Sequence, residues 1–420
     1  MRVLQVVHRY RPAIGGVEQY VADLSETLAR RGHSIDVATT RATNIWTYES
    51  DLSPFERVNG VDVRRFASLR RGRITAHVLR FAYDNFRRSG KWWFEPLLVA
   101  GKGPLAPGLG WHILRHGRDY DVAHIHALPF AHPVYAYYLA RARGRPVVIS
   151  PYTHIDQPQD YDLATYRSIL RNADMLVALT SREASYLSDR KVDPDKILVA
   201  GGGVKLDDLP LLPRDECRAR LGVPAEAFVL LFLARKEAYK GLGVLLDAFD
   251  HLQIRYPALH LISAGQDTSD SFELSHQYRS LARWYDYGVV SDAQKVDLLN
   301  AADVLVLPST GESFGIVFLE AWAVRRPVIG VRAGAVPWVI EDGRDGLLAE
   351  PNDPESLATA IECLIAHPDL ARGLAESGRA KVVERFTLDL VASRIEDGYR
   401  RVIAAGPRRT LATPSAQRAN

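Results

Sequence analysis

Short apolar runs alternate with stretches of helical period along almost the whole chain. Residues 3–7 have the length and composition of a buried strand. Gly15 and Gly16 then precede a helix in which Val17, Tyr20, Val21, Leu24 and Leu28 recur at helical spacing. Gly32 ends that helix, and residues 35–38 form the next strand. Residues 122–125, 147–149, 175–179 and 197–199 read as later strands of the same half. A stretch rich in Gly, Asp and Pro, residues 201–213, reads as a connection. A second series follows, with strands at 228–233, 259–263, 304–307 and 328–331. Helices are expected over 242–252, 315–324, 357–366, 370–380 and 388–403.

Strands that alternate with helices predict an α/β protein with parallel sheets covered on both faces. A chain of 420 residues is long for one core, and about two domains are expected. The apolar share of 47% and charged share of 25% suit a soluble globular protein. A net charge of only +3 argues against a polyanion binder, and no nucleic-acid partner is expected. Cys217 and Cys363 are too far apart in sequence for a disulfide framework or a paired-cysteine zinc site. The first residues read into a strand and not into a leader. The longest weakly polar stretch, 97–114, is broken by Lys102 and by several Gly and Pro, so no spanning helix is expected. A cytoplasmic protein follows from this reading, with contact to the inner face of the plasma membrane as an added expectation.

Two segments carry chemistry. In the first, a strand stops at Pro308, and Ser309-Thr310-Gly311-Glu312-Ser313 leads into a helix starting near Phe314. Free amides at a helix start suit an anion such as a diphosphate. Glu312, with Glu320 eight residues later, offers carboxylates that accept hydrogen bonds from sugar hydroxyls. In the second, Arg235-Lys236-Glu237-Ala238-Tyr239-Lys240-Gly241 follows a strand, at the edge where open parallel sheets bind ligands. Arg235 can fork onto phosphate oxygens and Lys240 can add a point charge.

In order and spacing these segments resemble the retaining family 4 glycosyltransferases, which use nucleotide sugars and have the GT-B fold. The resemblance runs through Gly15-Gly16-Val17-Glu18, Asp174 to Ser181, Gly203-Val204, Arg235, Lys240-Gly241 and Asn300-Ala301-Ala302-Asp303. It continues through Pro308-Ser309, Glu312 with Glu320, Pro327-Val328-Ile329, Asp342-Gly343, Asp345-Gly346 and Arg385-Phe386-Thr387. It implies two Rossmann-like domains with parallel sheets facing across a cleft. Residues 1–205 would bind the acceptor and 206–386 the nucleotide sugar. Residues 387–406 would cross back as a helix, leaving 407–420 as a disordered tail. The resemblance further implies that Arg235 and Lys240 clamp the diphosphate and that Glu320 binds the ribose. Glu312 and the amides of Phe314, Gly315 and Ile316 would hold the transferred sugar and phosphates. Gly15 and Gly16 would close on the diphosphate, their missing side chains allowing close backbone approach. The reaction would move a hexose-type sugar from a UDP- or GDP-sugar, with retention and without a metal or other cofactor. Three departures stand out: Arg325-Arg326 where a Gly-containing turn is usual, Trp338 for a frequent Glu, and Gln266-Asp267 after Gly265.

In Asp121-Val122-Ala123-His124-Ile125-His126, the two histidines share one strand face. Without a third ligand nearby they do not make a metal site. By the resemblance His126 lies beside the transferred sugar; His124 reads as structural. His154, after another strand, is a candidate for the acceptor. From Arg64 to Trp93 nine basic residues (Arg64, Arg65, Arg70, Arg71, Arg73, Arg80, Arg87, Arg88, Lys91) face one acid, Asp84, a local net of +8. Ile74, Val78, Phe81, Ala82 and Phe86 fall on one helix side, opposite the cations, and Trp92, Trp93 and Phe94 follow. This composition suits an anionic membrane surface against residues 64–94, and with it a glycan or lipid-linked acceptor. Two other readings compete. Gly311-Glu312-Ser313-Phe314-Gly315 matches the nucleophile elbow of an α/β serine hydrolase acting through Ser313, with His367 as the one downstream histidine. A non-catalytic nucleotide-sugar binding protein is the other. The pairs Asp119/Asp121, Asp160/Asp162 and Asp193/Asp195 have the spacing of a metal-binding Asp-x-Asp but read as turn residues.

Overall fold

Runs buried on both faces become central strands, and the chain folds, in a computed structural model describing residues 1–13, 15–44, 48–49, 52–69, 73–89 and 92–407, into two α/β units. The first comprises Met1–Ala200 with the segment from Ala392 onward; the second is Gly201–Val391. The helix Leu388–Ala405 therefore begins in the second unit and continues in the first.

The first unit holds β1 (Arg2–Val6), β2 (Ser34–Thr40), β3 (Phe55–Val58), β4 (Val61–Phe66), β5 (Val122–His126), β6 (Val147–Ser150), β7 (Met175–Ala178) and β8 (Ile197–Val199). Among the described residues they form one sheet in the order β3-β4-β2-β1-β5-β6-β7-β8. All neighbours are parallel except the pair β3 and β4. The central strands β1 and β5 are buried on both faces, which is why they read as near-continuous apolar runs. β4 differs: Val61, Val63 and Arg65 are buried while Asp62, Arg64 and Phe66 are partly exposed. That alternation, with three charges in six residues, kept β3 and β4 out of the sequence reading. The helix Gly16–Arg30 buries Tyr20, Val21, Leu24 and Leu28, as its periodicity predicts.

The second unit holds β9 (Phe228–Leu233), β10 (Leu259–Ala264), β11 (Trp284–Tyr287), β12 (Val304–Val306), β13 (Val328–Val331) and β14 (Leu347–Ala349). Their order is β11-β10-β9-β12-β13-β14, all parallel. In each sheet the chain winds outward from one strand, then returns to that strand's other side. The reversals fall between β1 and β5 and between β9 and β12. Open α/β sheets bind ligands at such reversals, beyond the carboxyl ends of the strands. The structure thus marks one position in each unit before any side chain is considered.

Candidate functional site

In the second unit both chemistry-bearing segments leave the sheet at the reversal. Residues 234–241 follow β9 and residues 307–315 follow β12. They are tied together by backbone: the Thr310 amide donates to the Tyr239 carbonyl at 2.9 Å. Gly241, at φ 81°, lies so close to the Pro308 carbonyl that a side chain there would clash. Glu312 is fixed from the other side, where its carbonyl accepts from Ala335 N at 3.0 Å. The helix Ile316–Ala323 opens from Gly315, at φ 86°, with its first amides at the loop end.

Of the side chains that the resemblance singled out, Lys240 and Glu312 meet here. Lys240 Nζ lies 2.5 Å from Glu312 Oε1, and both side chains are largely buried. Burial alone would lower the Lys240 pKa; the Glu312 charge and hydrogen bond outweigh it and hold the ammonium above its ordinary value. Arg235, one-third exposed, pairs with Glu237 at 3.2 Å. Glu320 Oε1 receives Lys295 Nζ at 2.8 Å. Two cations, Arg235 and Lys240, with a helix start beside them, can neutralise a diphosphate, and Glu312 and Glu320 can accept from hydroxyls. Sequence reasoning missed two lysines. Lys295 has no motif around it. Lys236 is fully buried, with Nζ 2.7 Å from Asp267 and 2.6 Å from Asp286. A charged residue next to Arg235 reads as surface, and only the fold brings two acids to it.

In the first unit Gly15 caps the helix Gly16–Arg30, and a Cβ at Gly15 would run into the Glu18 carboxylate. Glu18 is buried against Arg9 at 2.5 Å and His8 at 3.3 Å. Burial raises its pKa, but His8 and Arg9 outweigh this and bring it down to about 2. His126 is fully buried, with Nδ1 2.8 Å from the Tyr152 hydroxyl and Nε2 2.6 Å from Gln5 Oε1. Both ring nitrogens are thus engaged within the unit. Burial, with His124 and His132 nearby, pushes its pKa well below the ordinary value, so the ring is neutral. His124, also fully buried, bonds Tyr399 and Ser150. His154 is partly exposed, its ring 5.5 Å from that of Tyr161. The preceding Thr153 amide is held by the buried Glu183 at 2.7 Å.

Several expectations need correction. Arg65 is no surface cation: its side chain is buried, ion-paired to Glu56, and donates to the Arg11 carbonyl at 2.6 Å. Arg64 stacks over the Phe55 ring at 5.2 Å. Of the residues placed on the apolar side of their helix, Phe81 is 59% exposed, Ala82 is buried and Phe86 packs on the core. Arg70, Arg71, Lys91 and the tail from residue 408 lie outside the described residues. Ser313 lacks the left-handed backbone of a strained elbow, which falls instead on Gly315. His367 is bonded to the Cys363 carbonyl at a helix junction. The three Asp pairs serve structure: Asp121 accepts from Arg2 N, Asp160 pairs with Lys102, Asp162 with Arg167 and Arg190, and Asp193 caps a turn. Among the described residues no group of three or more His, Cys, Asp or Glu could hold a metal ion. None of the described helices is long and apolar enough to cross a membrane.

The two units match two family models. Residues 15–203 match the glycosyl transferase 4-like domain and residues 213–381 the glycosyl transferases group 1. Among curated relatives, a D-inositol 3-phosphate glycosyltransferase of Geodermatophilus obscurus is 31% identical over 401 residues, covering 90% of this chain and 84% of its own. That of Xylanimonas cellulosilytica is 29% identical and covers 94% of both chains. Among solved structures, sucrose-phosphate synthase from Thermosynechococcus elongatus superposes with a TM-score of 0.74 at 22% identity, covering 96% of this chain and 99% of its own. Anabaena HepE in complex with UDP and glucose gives 0.73 at 19% identity, covering 95% and 99%.

Proposed function

The chain belongs to the family 4 glycosyltransferases of GT-B fold, and we propose that it transfers a hexose-type sugar, with retention and without a metal, from a UDP-sugar. The observation that carries this reading is the pairing of Lys240 with Glu312 across two loops tied at the sheet reversal. In it a phosphate-binding cation stands next to a hydroxyl-binding carboxylate. Arg235 and Lys240 are assigned to the diphosphate, Glu320 to the ribose, and Glu312 with the amides of Phe314, Gly315 and Ile316 to the transferred sugar. We assign front-side attack, with the leaving phosphate taking the acceptor proton. The protein then supplies orientation and stabilises charge on the departing diphosphate. UDP is chosen over GDP because a structure of the same fold carries UDP and glucose.

We assign acceptor binding to the first unit, at the carboxyl edge of its sheet, with His154 as the candidate residue; Gly15 and Gly16 are assigned to the donor diphosphate and His126 to the transferred sugar. A lipid-linked or glycan acceptor at an anionic membrane face is favoured by one feature. Phe81 and Trp93 are 59% and 51% exposed, with Arg80 and Arg88 exposed nearby in sequence. Aromatic rings interleaved with cations suit a bilayer surface, at about 1 kcal/mol per well-placed cation.

Thermal shift with UDP, GDP, ADP and their glucose and mannose forms tests the donor. A ligand at about 100 times its Kd stabilises by about 2.7 kcal/mol. UDP and a UDP-sugar should raise the melting temperature; a response to GDP alone overturns the choice of base. Sedimentation with anionic and neutral liposomes tests the surface. Binding should need anionic lipid and fall when Arg80 and Arg88 become Glu. Failure to bind either vesicle leaves a soluble acceptor.

A further inference from the structure

Six side chains of the first unit form one buried hydrogen-bonded chain that no sequence motif announces. Tyr152 Oη lies 2.8 Å from His126 Nδ1, and His126 Nε2 lies 2.6 Å from Gln5 Oε1. Gln5 Nε2 lies 3.3 Å from Tyr399 Oη, which lies 2.6 Å from His124 Nδ1. His124 Nε2 lies 2.7 Å from Ser150 Oγ, whose hydroxyl also bonds that of Tyr152. Gln5, His124, His126, Ser150 and Tyr399 are fully buried, and Tyr152 is 4% exposed.

The chemistry of the groups gives the chain a direction. Gln5 Oε1 can only accept, so His126 carries its hydrogen on Nε2. Its Nδ1 is then an acceptor and takes the Tyr152 hydroxyl. Gln5 Nε2 can only donate, so the Tyr399 oxygen accepts and its hydrogen passes to His124 Nδ1. His124 in turn donates from Nε2 to Ser150. Each of the five contacts then pairs one donor with one acceptor, as buried polar groups require.

Tyr399 stands on the helix Leu388–Ala405, far in sequence from the strands it joins. At the other end Tyr152 has φ 51°, a left-handed backbone that a bulky residue adopts only when its surroundings impose it. Its ring meets Tyr20 edge-on at 6.0 Å. The turn it makes at the end of β6 carries Thr153 and His154 onto the carboxyl edge of the sheet.

We propose that Tyr399 is a positioning residue for the acceptor side of the first unit. Through Gln5 it fixes the Nε2–H form and the orientation of His126, and through the Tyr152 hydroxyl His126 holds the turn that presents His154. This rests on reading that edge as the acceptor site.

The test uses the full-length protein with 15N-labelled histidine. In the wild type, His124 and His126 should each show a protonated Nε2 and a bare Nδ1. Tyr399→Phe should move the ring signals of His124, His126 and His154. Tyr152→Phe, which removes the donor to His126, should move His126 and His154 more than His124, which it reaches only through Ser150. Turnover with UDP-glucose and D-inositol 3-phosphate as probes is measured alongside. Either variant should raise the KM for the inositol phosphate about 5- to 30-fold, the effect of losing one or two buried hydrogen bonds. The UDP-glucose KM should change less than about twofold, which a general loosening of the fold would not spare. An Nδ1–H form of His126 in the wild type overturns the proposal. So do unmoved His126 and His154 signals in both variants, or equal effects on the two KM values. A wild type with the expected ring forms but no turnover supports the chain of bonds and counts against the reaction assigned to the site.

Discussion

Lys240 Nζ and Glu312 Oε1 are 2.5 Å apart although 72 residues separate them in the chain, so the loop after β9 and the loop after β12 share one ion pair. Lys240→Met removes the assigned phosphate contact and the cation that faces Glu312. Steady-state turnover should fall by about 10²–10³-fold, the usual cost of losing one preorganised donor to developing charge. Glu312→Ala should lower kcat more than it raises the donor KM, because the sugar assigned to it would become cationic in the transition state. Retention of more than about half the activity by the Lys240 variant would remove it from the diphosphate.

Glu320 and Lys295 form the second pair, at 2.8 Å. Contact with ribose changes little as the sugar departs, so Glu320→Ala should act on binding. We expect a donor KM about tenfold higher, with kcat within about threefold of wild type. Lys295→Met should shift the donor KM the same way by about threefold. A kcat defect at unchanged KM would mean that the roles of Glu312 and Glu320 are interchanged.

Gly15 and Gly16 should separate in their responses to alanine. A methyl group at Gly15 presses on the buried Glu18 carboxylate, while nothing lies within 4 Å of one placed at Gly16. Gly15→Ala should cost about 1–3 kcal/mol in urea unfolding, the range for overpacking a filled site. Gly16→Ala should leave the unfolding midpoint unchanged and still slow turnover, if ligand backbone contact is what that glycine serves. Equal stability losses in the two variants would contradict the local packing.

Arg325 occupies a left-handed turn at φ 56°, a backbone that favours glycine. Its guanidinium reaches only the exposed Glu376 at 3.6 Å, a weak compensation. Arg325→Gly should relieve the backbone at the cost of a more flexible unfolded chain, for a net gain of about 0.5–1 kcal/mol. The melting temperature should rise by about 2 °C with turnover unaltered. A fall would show that Arg325 makes a contact worth more than the strain.

Burial takes the pKa of His124 down to about 3 and those of His126 and His132 well below the ordinary 6.5. On unfolding below pH 6.5 these rings take up protons that the native state does not bind. Their contribution is therefore complete above pH 6.5 and is lost progressively as pH falls toward about 3. Each adds up to about 1.4 kcal/mol per pH unit to the slope. Urea midpoints should drop clearly between pH 7 and pH 5.5. A flat profile there would mean that the rings are protonated in the folded protein.

The sequence by itself determined the fold class and most of the central strands, and it singled out Lys240 and Glu312, which the structure pairs. Parallel strands covered on both faces must be apolar throughout, and a phosphate site needs Gly, Arg and Lys next to a strand end. Both demands are local, so they survive in a linear reading of β9, β12, Lys240 and Glu312. The tertiary structure decided what depends on partners far along the chain. It buried Arg65 against Glu56 and Lys236 between Asp267 and Asp286, turned Phe81 outward, and left His126 with both nitrogens occupied by Gln5 and Tyr152. A charged side chain prefers water and is buried only against a partner, and an aromatic one can lie on either side. Its place is set by whether the fold brings a complementary group to it, and residues 5, 126, 152 and 399 meet only once the sheet and the last helix are assembled.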